Sequence, residues 1–147
     1  MTMDAETFRA FFEQNVPFNA HLGLEVVEFN AGTCLMKLPF RTDWVGDPYR
    51  PALHGGLIST LADAAGGGAV FSMVPYLSAV STIDLRVDYL RPGLLQDLWC
   101  EARILRVGNR VGVTAMRIVQ GGNREYTAAE ARGVYNIAKS DGNNLRR

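Results

Sequence analysis

One carboxylate stands alone in a long uncharged stretch of the sequence. Between Pro51 and Ile83, Asp63 is the only formally charged side chain, and the spacing of its apolar neighbours places it inside a helix. Aspartate is a poor residue for a helix interior, and a buried carboxylate needs a partner. Two explanations stay open: a group kept there for chemistry, or a side chain that is solvated on an exposed face or hydrogen-bonded to Ser59 or Thr60.

The residues His54-Gly55-Gly56 open the same helix. Unpaired N–H groups at a helix N-terminus, with the positive end of the helix dipole, can bind a carbonyl oxygen that gains negative charge. Glycine lets a ligand approach these groups, although it also serves simply to start a helix. His54 is expected to be a cap or packing residue rather than a titrating base. Asp63 follows His54 by about two and a half helical turns, so a site that uses both Asp63 and the helix start needs a second subunit.

The helix face around Asp63 is made of small residues. Its neighbours one and two turns away are Gly56, Ser59, Thr60, Gly66, Gly67 and Val70. The expected core stripe is different and consists of Leu57, Leu61, Ala64, Gly68 and Phe71. Three consecutive glycines inside a helix each cost about 1 kcal/mol relative to alanine. We expect them to admit another backbone or a ligand chain, the alternative being an irregular helix end.

Other elements must hold this helix in place. Residues 4–15 predict a short amphipathic helix that Pro17 ends. Residues 22–29 and 33–39 flank a turn signal and predict a hairpin, and residues 41–51 predict a loop. The apolar face of the first helix is formed by Phe8, Phe11 and Phe12.

The long helix is predicted over Leu53 to Val74, with Pro75 after it. Residues 81–90 alternate in the manner of a half-buried strand. On the core face we expect Ile83, Leu85, Val87 and Tyr89. On the polar face we expect Thr82, Asp84, Arg86 and Asp88. Further strands are predicted over 98–107, 111–119 and 126–137, and the tail 139–147 is expected to fray.

This order of elements predicts an α+β fold in which an antiparallel sheet packs on one long helix. The 147 residues fit a single domain, over 1–147. A sheet of this extent needs its other face or edge covered. Pairing of strands between two copies would cover it, so we expect a homodimer, and the zero net charge leaves such self-association open.

Composition argues against several classes of function. Fifteen basic residues balance fifteen acidic ones without a polybasic stretch, so neither nucleic acid nor an anionic membrane is expected as a partner. Two cysteines in apolar runs, Cys34 and Cys100, and a start without a leader point to a reduced, cytoplasmic setting. Phosphate-binding glycine loops, the GxSxG motif and the HExxH motif do not occur, so we expect neither a cofactor nor a metal.

Three segments resemble a known family. They are Leu53-His-Gly-Gly-Leu-Ile-Ser-Thr-Leu-Ala-Asp-Ala-Ala-Gly-Gly67, Ser81-Thr-Ile-Asp-Leu-Arg-Val-Asp-Tyr-Leu-Arg-Pro92 and Glu101-Ala-Arg-Ile-Leu-Arg-Val-Gly-Asn-Arg110. Together they resemble the hotdog-fold acyl-CoA thioesterases of the PaaI-like type, in the 4-hydroxybenzoyl-CoA thioesterase superfamily. The resemblance implies a curved antiparallel sheet around one long central helix. It also implies a homodimer or a dimer of dimers, with acyl-CoA along the dimer interface.

The resemblance implies roles for individual residues. The backbone N–H of Gly55, beside His54 and Gly56, would polarise the thioester carbonyl. Asp63 would act as general base on water or as nucleophile. Thr82 would help to orient the attacking water, although an ordinary strand threonine is the alternative.

Coenzyme A carries phosphates, so its site needs cations. Candidates are Arg91, Arg106 and Arg110, the last two beside a turn where the family usually binds phosphate; each could instead be a solvated surface charge. Several members carry Asn or Gln in the loop before the HGG motif. This sequence has Pro48 near that position, and Asp47 could replace the amide in polar contacts.

Three functions therefore remain in competition. A thioesterase is the leading one, and an acyl-CoA binding or sensing protein with little hydrolysis is the second. A hydratase or dehydratase would need an Asp–His pair, for which His54 is the only nearby candidate. Residues that could line an acyl pocket or belong to the core are Trp44, Phe71, Met73 and Tyr76.

Overall fold

A six-stranded antiparallel sheet and one long helix dominate the fold, in a computed structural model that describes residues 1–140. The elements in chain order are α1 (Ala5–Ala10), a π-helical turn (Phe11–Asn15), α2 (Pro17–Leu22), β1 (Glu25–Asn30), β2 (Thr33–Leu38), a 3-10 turn (Thr42–Trp44), β3 (Val45–Asp47), β4 (Ala52–Leu53), α3 (Gly55–Phe71), β5 (Ala79–Tyr89), β6 (Leu98–Val107), β7 (Val111–Gln120) and β8 (Tyr126–Ala138).

The strands of the sheet follow the order β1-β2-β6-β7-β8-β5, and α3 packs across them. This confirms the α+β architecture, the long helix and all six predicted strands, five of them to within two residues at both ends. Short β3 lies in the segment 41–51 that was predicted to be a loop, and it pairs with β4, whose Leu53 was predicted to begin the long helix. The fraying predicted for the tail falls, from residue 141 onward, outside the described residues. None of the helices in residues 1–140 has the length and apolarity to cross a bilayer.

The N-terminal region contains a helix that the sequence analysis did not predict. Pro17 ends the π-helical turn but also starts α2, because proline is well suited to the first position of a helix. Gly23 then ends α2 with a φ of 70°, a left-handed conformation that favours glycine. The predicted strand over 22–29 therefore begins only at Glu25.

The buried face of α3 differs from the predicted core stripe. Leu61 and Gly68 are buried as expected, but Leu57, Ala64 and Phe71 are only half-buried. The fully buried face includes Ile58, Leu61, Ala62, Ala65, Ala69 and Val70. The small residues of α3 therefore face the sheet, because a narrow helix surface allows large strand side chains to pack against it.

The three glycines of α3 make room for side chains of the core. A Cβ at Gly68 would lie 2.8 Å from Sγ of Cys34 and 2.9 Å from Cε of Met36. A Cβ at Gly66 would collide with the hydroxyl of Tyr135 in β8, whereas a Cβ at Gly67 would only touch the Tyr135 ring, at 3.5 Å. For Gly66 and Gly68, the expectation that the glycines admit another backbone or a ligand chain is wrong, because sheet side chains fill the space, whereas Gly67 lines a cavity.

The two edges of the sheet differ. At β1, the backbone C=O of Val26 accepts from Nε of Arg9 at 3.0 Å, and its N–H donates to Oε1 of Glu13 at 2.7 Å. The N-terminal helical segment thus covers that edge. At the other end of the sheet, the outer side of β5 pairs with no strand among residues 1–140. Its exposed apolar side chains include Ile83, 58% exposed, and Tyr89, 53% exposed.

Candidate active site

Asp63 lies near the middle of α3 and is half-buried. Its Oδ1 accepts a hydrogen bond of 2.7 Å from the hydroxyl of Thr82 in β5. The hydroxyls of Ser59 and Thr60 donate instead to the backbone carbonyl of Gly56, at 3.1 and 2.7 Å. The alternative in which Ser59 or Thr60 is the partner of Asp63 is therefore wrong. The carboxylate is held by a side chain from the sheet.

Thr82 reaches this carboxylate because β5 contains one extra residue. The register of β5 against β8 shifts between Thr82 and Asp84, which leaves Ile83 without a cross-strand partner. Side chains alternate along a strand, so such a bulge exchanges the two faces. The prediction that Thr82 shares the polar face with Asp84, and Ile83 the core face with Leu85, is wrong. Thr82 and Leu85 face α3 together.

The start of α3 has one free backbone donor. His54 is the N-cap: its Nδ1 accepts the N–H of Gly56 at 2.9 Å, which confirms the capping role. The N–H of Gly55 donates to no acceptor within the described part of the chain. Only one of the two amides expected at this helix start is therefore available to a ligand. Its position at the positive end of the helix dipole suits an oxygen that gains negative charge.

Neighbouring elements fix the position of this helix start. The N–H of His54 donates to the carbonyl of Trp44 at 2.8 Å. A Cβ at Gly46 would lie 2.6 Å from Cα of His54, so only glycine lets β3 pass this closely. On the other side, the hydroxyl of Tyr89 donates to the carbonyl of Gly55 at 3.2 Å. The end of β5 therefore touches the helix start.

Within one protomer, the free amide and the carboxylate are too far apart to act on the same carbonyl. Gly55 and Asp63 are separated by eight residues of continuous helix, about 12 Å at 1.5 Å per residue. A general base must come within about 3 Å of its proton, directly or through one water. The two groups therefore belong to different sites, or to one site that two protomers form together.

A cavity of about 550 Å³ opens beside Asp63. Its polar lining comes from the Asp63 face of α3, from Thr82 and from Asn19 of α2, and Tyr135 of β8 borders it as well. Its apolar lining comes from the N-terminal segment, the end of α3 and β5, and consists of Phe11, Phe12, Val16, Phe18, Phe71, Val80 and Leu85. Of the residues proposed for an acyl pocket, Phe71 lines the cavity, whereas Trp44 is a buried core residue. The volume lies within the range of small-molecule sites, about 300–1,000 Å³.

Asp47 lies in the hairpin before α3 and is occupied by its own loop. Its Oδ1 accepts the N–H groups of Tyr49 and Arg50, both at 3.0 Å, and its Oδ2 accepts from Nε of Arg50 at 3.1 Å. The two backbone N–H groups hold the pKa of Asp47 below its ordinary value. This carboxylate does not line the Asp63 cavity.

The three candidate arginines are exposed and lie away from the Asp63 cavity. Arg91 follows β5, and its guanidinium donates to the carbonyl of Thr127 at 2.9 Å. Arg106 and Arg110 lie at the β6–β7 turn. That turn is near the C-terminal end of α3, because the neighbouring Gly112 packs against Val70. Within a protomer, Arg106 and Arg110 are therefore remote from the free amide of Gly55.

Two tyrosines at the site were not recognised from the sequence. Tyr89 was assigned to the core face of β5, but it lies over the start of α3. Tyr135 lies in the strand predicted over 126–137 and was given no role there, but its hydroxyl donates to the carbonyl of Asp63 at 3.0 Å. Glycines at positions 66 and 133 were the available signal for Tyr135, since a Cβ at either position would collide with it.

A larger concavity of about 640 Å³ lies on the outer face of the sheet. It is lined mainly by charged side chains, including Glu28, Glu101, Arg103, Arg117, Glu130 and Arg132. Several of them are already partners, as Arg117 and Glu101 are at 2.8 Å. None of the predicted site residues reaches it. Residues 1–140 also contain no group of three or more His, Cys, Asp or Glu side chains that could hold a metal ion.

Comparison with known proteins agrees with this geometry. The model of the thioesterase superfamily matches residues 51–127, which include the start of α3, Asp63 and Thr82. A putative esterase of Halobacterium salinarum is 36% identical over 127 residues, covering 82% of this chain and 83% of that protein. The medium/long-chain acyl-CoA thioesterase YigI of Escherichia coli is 32% identical over 120 residues, covering 73% and 77%. The chain belongs to the thioesterase superfamily.

The fold has a counterpart of known structure. The PaaI protein from the phenylacetic acid degradation operon of E. coli matches with a TM-score of 0.73 and 24% identity, covering 84% of this chain and 85% of that chain. The antiparallel sheet around a long central helix is therefore the hotdog fold, as the resemblance implied. Together with the relatives, this identifies the protein as a thioesterase enzyme.

Proposed function

We propose that this thioesterase hydrolyses acyl-CoA to a free acid and coenzyme A at a site formed by two protomers. Asp63 and Thr82 of one protomer would face the free Gly55 N–H of the other. The observation that carries the proposal is the pairing of a single helix carboxylate with a sheet hydroxyl, at 2.7 Å, beside a largely apolar cavity. The acyl-CoA thioesterase named among the relatives supports the choice of thioester.

In the general-base form of the reaction, Asp63 takes a proton from a water that Thr82 helps to orient. The water oxygen bonds to the thioester carbon, and the carbonyl oxygen gains a negative charge that the Gly55 N–H stabilises. When the carbonyl re-forms, the C–S bond breaks and the departing sulfur takes the proton from Asp63. In the nucleophilic form, the carboxylate attacks the thioester carbon, the C–S bond breaks and coenzyme A leaves as the thiolate. Water then hydrolyses the resulting anhydride, which releases the acid and regenerates the carboxylate.

The open edge of β5 supports the proposed dimer. Its eleven residues extend over about 36 Å, and an exposed edge of this length promotes pairing with another chain. Antiparallel pairing with the partner's β5, centred between Leu85 and Arg86, would place Thr82 opposite the partner's Tyr89. Both side chains are directed toward the helix side of the sheet, as cross-strand neighbours must be.

This pairing would also unite the separated parts of the site. Thr82 bonds to Asp63, and Tyr89 bonds to the carbonyl of Gly55. Bringing Thr82 next to the partner's Tyr89 therefore brings Asp63 toward the partner's Gly55. The β6–β7 turn with Arg106 and Arg110 lies on the Thr82 side, so these cations would serve the coenzyme at the shared site. Arg91, next to β5, would be supplied by the other protomer.

For the acyl group we propose a medium or long chain. Four of the cavity's apolar residues, Phe11, Phe12, Val16 and Phe18, come from the N-terminal segment. Phe18 is 56% exposed and Phe11 37% exposed, although both are large and apolar. An acyl chain lying against them would remove this surface from water. The E. coli relative is named for medium and long chains.

The test is a thiol-release assay with aryl, short, medium and long acyl-CoAs. Asp63→Asn keeps the shape of the side chain but cannot accept the proton, so turnover should fall by about 10²–10⁴-fold. Asp84→Asn is the matched control, because Asp84 is exposed on β5 and follows the bulge. We expect it to keep near-normal turnover. Near-normal turnover of Asp63→Asn would reject the catalytic assignment.

The binding or sensing function is the second candidate, and one observation favours it. Asp47 stands in the loop that precedes HGG, and its oxygens are already bonded within that loop. It therefore cannot supply the N–H donor of an amide. Tight binding of acyl-CoA without thiol release by the wild-type protein would establish this second function and reject hydrolysis.

A further inference from the structure

Tyr135 is the largest of the fully buried side chains, and the reaction proposed above does not use it. It lies in β8 under α3 and is 1% exposed. Its hydroxyl donates to the backbone carbonyl of Asp63 at 3.0 Å. A buried tyrosine hydroxyl needs a hydrogen-bond partner. This one finds its partner in the helix residue whose side chain is the candidate base.

Two glycines leave the space that Tyr135 occupies. A Cβ at Gly66 would collide with the Tyr135 hydroxyl, and a Cβ at Gly133 would lie 2.6 Å from it. Glycine at each position disfavours regular helix or strand relative to alanine. Glycine therefore lowers local stability in both α3 and β8. The space between the two glycines, here called the slot, holds the contact between Tyr135 and Asp63.

The hydrogen bond is an addition to the normal helix pattern. The Asp63 carbonyl lies inside α3, where it accepts the N–H of the residue four positions later. It uses its second lone pair for Tyr135. The added bond therefore is not needed to satisfy the backbone. Its effect is to tie one turn of α3 to one residue of β8.

The hydroxyl is a donor under all ordinary conditions. Burial raises the pKa of Tyr135 above its ordinary value, and the negative charge of Asp63 raises it further. Ionisation would place a second negative charge beside the carboxylate in a region of low dielectric. Tyr135 thus holds its proton and keeps the bond to the helix.

The register of the sheet links Tyr135 to the second candidate residue. Thr82 is the direct cross-strand partner of Tyr135 in the β5–β8 pair, immediately before the bulge at Ile83. Thr82 holds the Asp63 carboxylate, and Tyr135 holds the Asp63 carbonyl. Two adjacent residues of neighbouring strands thus fix both the side chain and the main chain of Asp63.

We propose that Tyr135 is a positioning residue that holds the Asp63 turn of α3 at a fixed distance from Thr82. This inference rests on the proposed function of Asp63. Tyr135 touches no reacting atom and acts through the geometry of the carboxylate. Loss of its hydroxyl leaves the ring in the slot but frees the helix turn from the sheet.

The first experiment compares Tyr135→Phe with Tyr126→Phe. Tyr126 lies in the same strand, and its hydroxyl donates to the carbonyl of Pro92 at 2.7 Å, so the control removes a similar bond that does not involve α3 or Asp63. We expect kcat of Tyr135→Phe to fall by about 10- to 100-fold, because small displacements of reacting groups have effects of this size. KM should stay within about twofold, and Tyr126→Phe should match the wild type. Equal kcat values for the two variants would overturn the proposal.

The second experiment adds Tyr135→Phe to Asp63→Asn. If Tyr135 acts through the carboxylate, the double variant should be no slower than Asp63→Asn alone, because the two changes remove the same contribution. Losses that multiply would show that Tyr135 acts by another route and would overturn the proposal. Full turnover of Asp63→Asn would reject the proposed catalytic function, and that outcome is separate from the behaviour of Tyr135.

A third measurement does not depend on turnover. Amide hydrogen exchange in the part of α3 around Asp63 should be faster in Tyr135→Phe than in the wild type, because one tie to the sheet is lost. The same peptides of Tyr126→Phe should exchange at the wild-type rate. Unchanged exchange in Tyr135→Phe would overturn the proposal even in a protein that released no thiol.

Discussion

The two edge strands of the sheet carry the same irregularity but have different surroundings. Both contain a bulge with an apolar residue, Val27 in β1 and Ile83 in β5. At β1, side chains of Arg9 and Glu13 satisfy the backbone groups of the neighbouring Val26. At β5, the backbone groups of the outer edge have no such partners among residues 1–140. The chain therefore closes one edge itself and leaves the other for a second molecule.

The comparison separates what stabilises the protomer from what completes the site. Covering the β1 edge satisfies the backbone of one chain, which concerns folding. The β5 edge carries Thr82, and its far end touches the start of α3 through Tyr89. Changes at the first edge should therefore affect unfolding, whereas changes at the second should affect assembly and turnover.

The largest expected effect comes from Ile83→Lys at the open edge. A lysine at an edge strand opposes pairing, so the variant should be a monomer by sedimentation velocity. Separation of Asp63 from the partner's Gly55 removes an oxyanion donor, and turnover should fall by about 10²–10³-fold. Val27→Lys is the control at the covered edge and should keep both mass and turnover. A fully active dimer of Ile83→Lys would remove β5 from the interface.

A smaller effect is expected from Phe18→Ala, in the segment that covers β1 and also lines the cavity. Removing the ring should lower kcat/KM for long acyl-CoAs by about tenfold relative to short ones, because apolar contacts discriminate chain length. A chain-length series measures this ratio. Leu105→Ala, at an exposed bulge of β6, should leave the ratio unchanged. A uniform loss over all chain lengths would contradict a contact with the acyl chain.

Glu13→Ala should destabilise the protomer without affecting the dimer. It leaves the N–H of Val26 without an acceptor, and hydrogen bonds to charged groups contribute about 1.5–3 kcal/mol. Urea unfolding measures the loss, with Glu28→Ala on the exposed side of β1 as the control. Equal unfolding free energies for the two variants would show that this edge does not depend on Glu13.

The smallest effect is a pH dependence at the start of α1. Asp4 caps this helix, and hydrogen bonds from the N–H and hydroxyl of Thr7 hold the pKa of Asp4 below 3.8. The ionised carboxylate therefore stabilises the fold above that value, and the contribution disappears as the pH falls through the lowered pKa. Asp4→Asn should melt slightly below the wild type at pH 7, and the difference in Tm should shrink as the pH falls below 3.8. A constant difference in Tm would exclude ionisation as the cause.

Much of the fold and part of the candidate site could be predicted because their signals are local. The lone charge of Asp63 and the glycines that open α3 are visible in one short segment, and helical or alternating patterns gave the main elements. Pro17 and Gly23 are local signals for α2 as well, but Pro17 was interpreted only as the end of the first helix and Gly23 as part of the strand over 22–29. The sequence therefore contained the information that predicts α2.

The remaining features depend on contacts between distant segments. The side of β5 on which Thr82 lies depends on a bulge, which arises only when β5 pairs with β8. The role of Tyr135 depends on Gly66 and Gly133 meeting at one point beneath α3. The spacing of residues within a single segment predicts neither the bulge nor the meeting of the two glycines. The positions of Thr82 and Tyr135 at the site are therefore found only once the pairing of the strands and their packing on α3 are known.

The bulge at Ile83 also limits how this strand can evolve. The residues that face α3 are even-numbered before it, as Val80 and Thr82 are, and odd-numbered after it, as Leu85 is. Deletion of one residue here would preserve composition, charge and hydropathy almost completely. It would nevertheless exchange the two faces in one half of the strand. Either the Thr82 hydroxyl or the apolar side chain of Leu85 would then point away from α3. Length, at this one position, is as much a determinant of the site as side-chain identity.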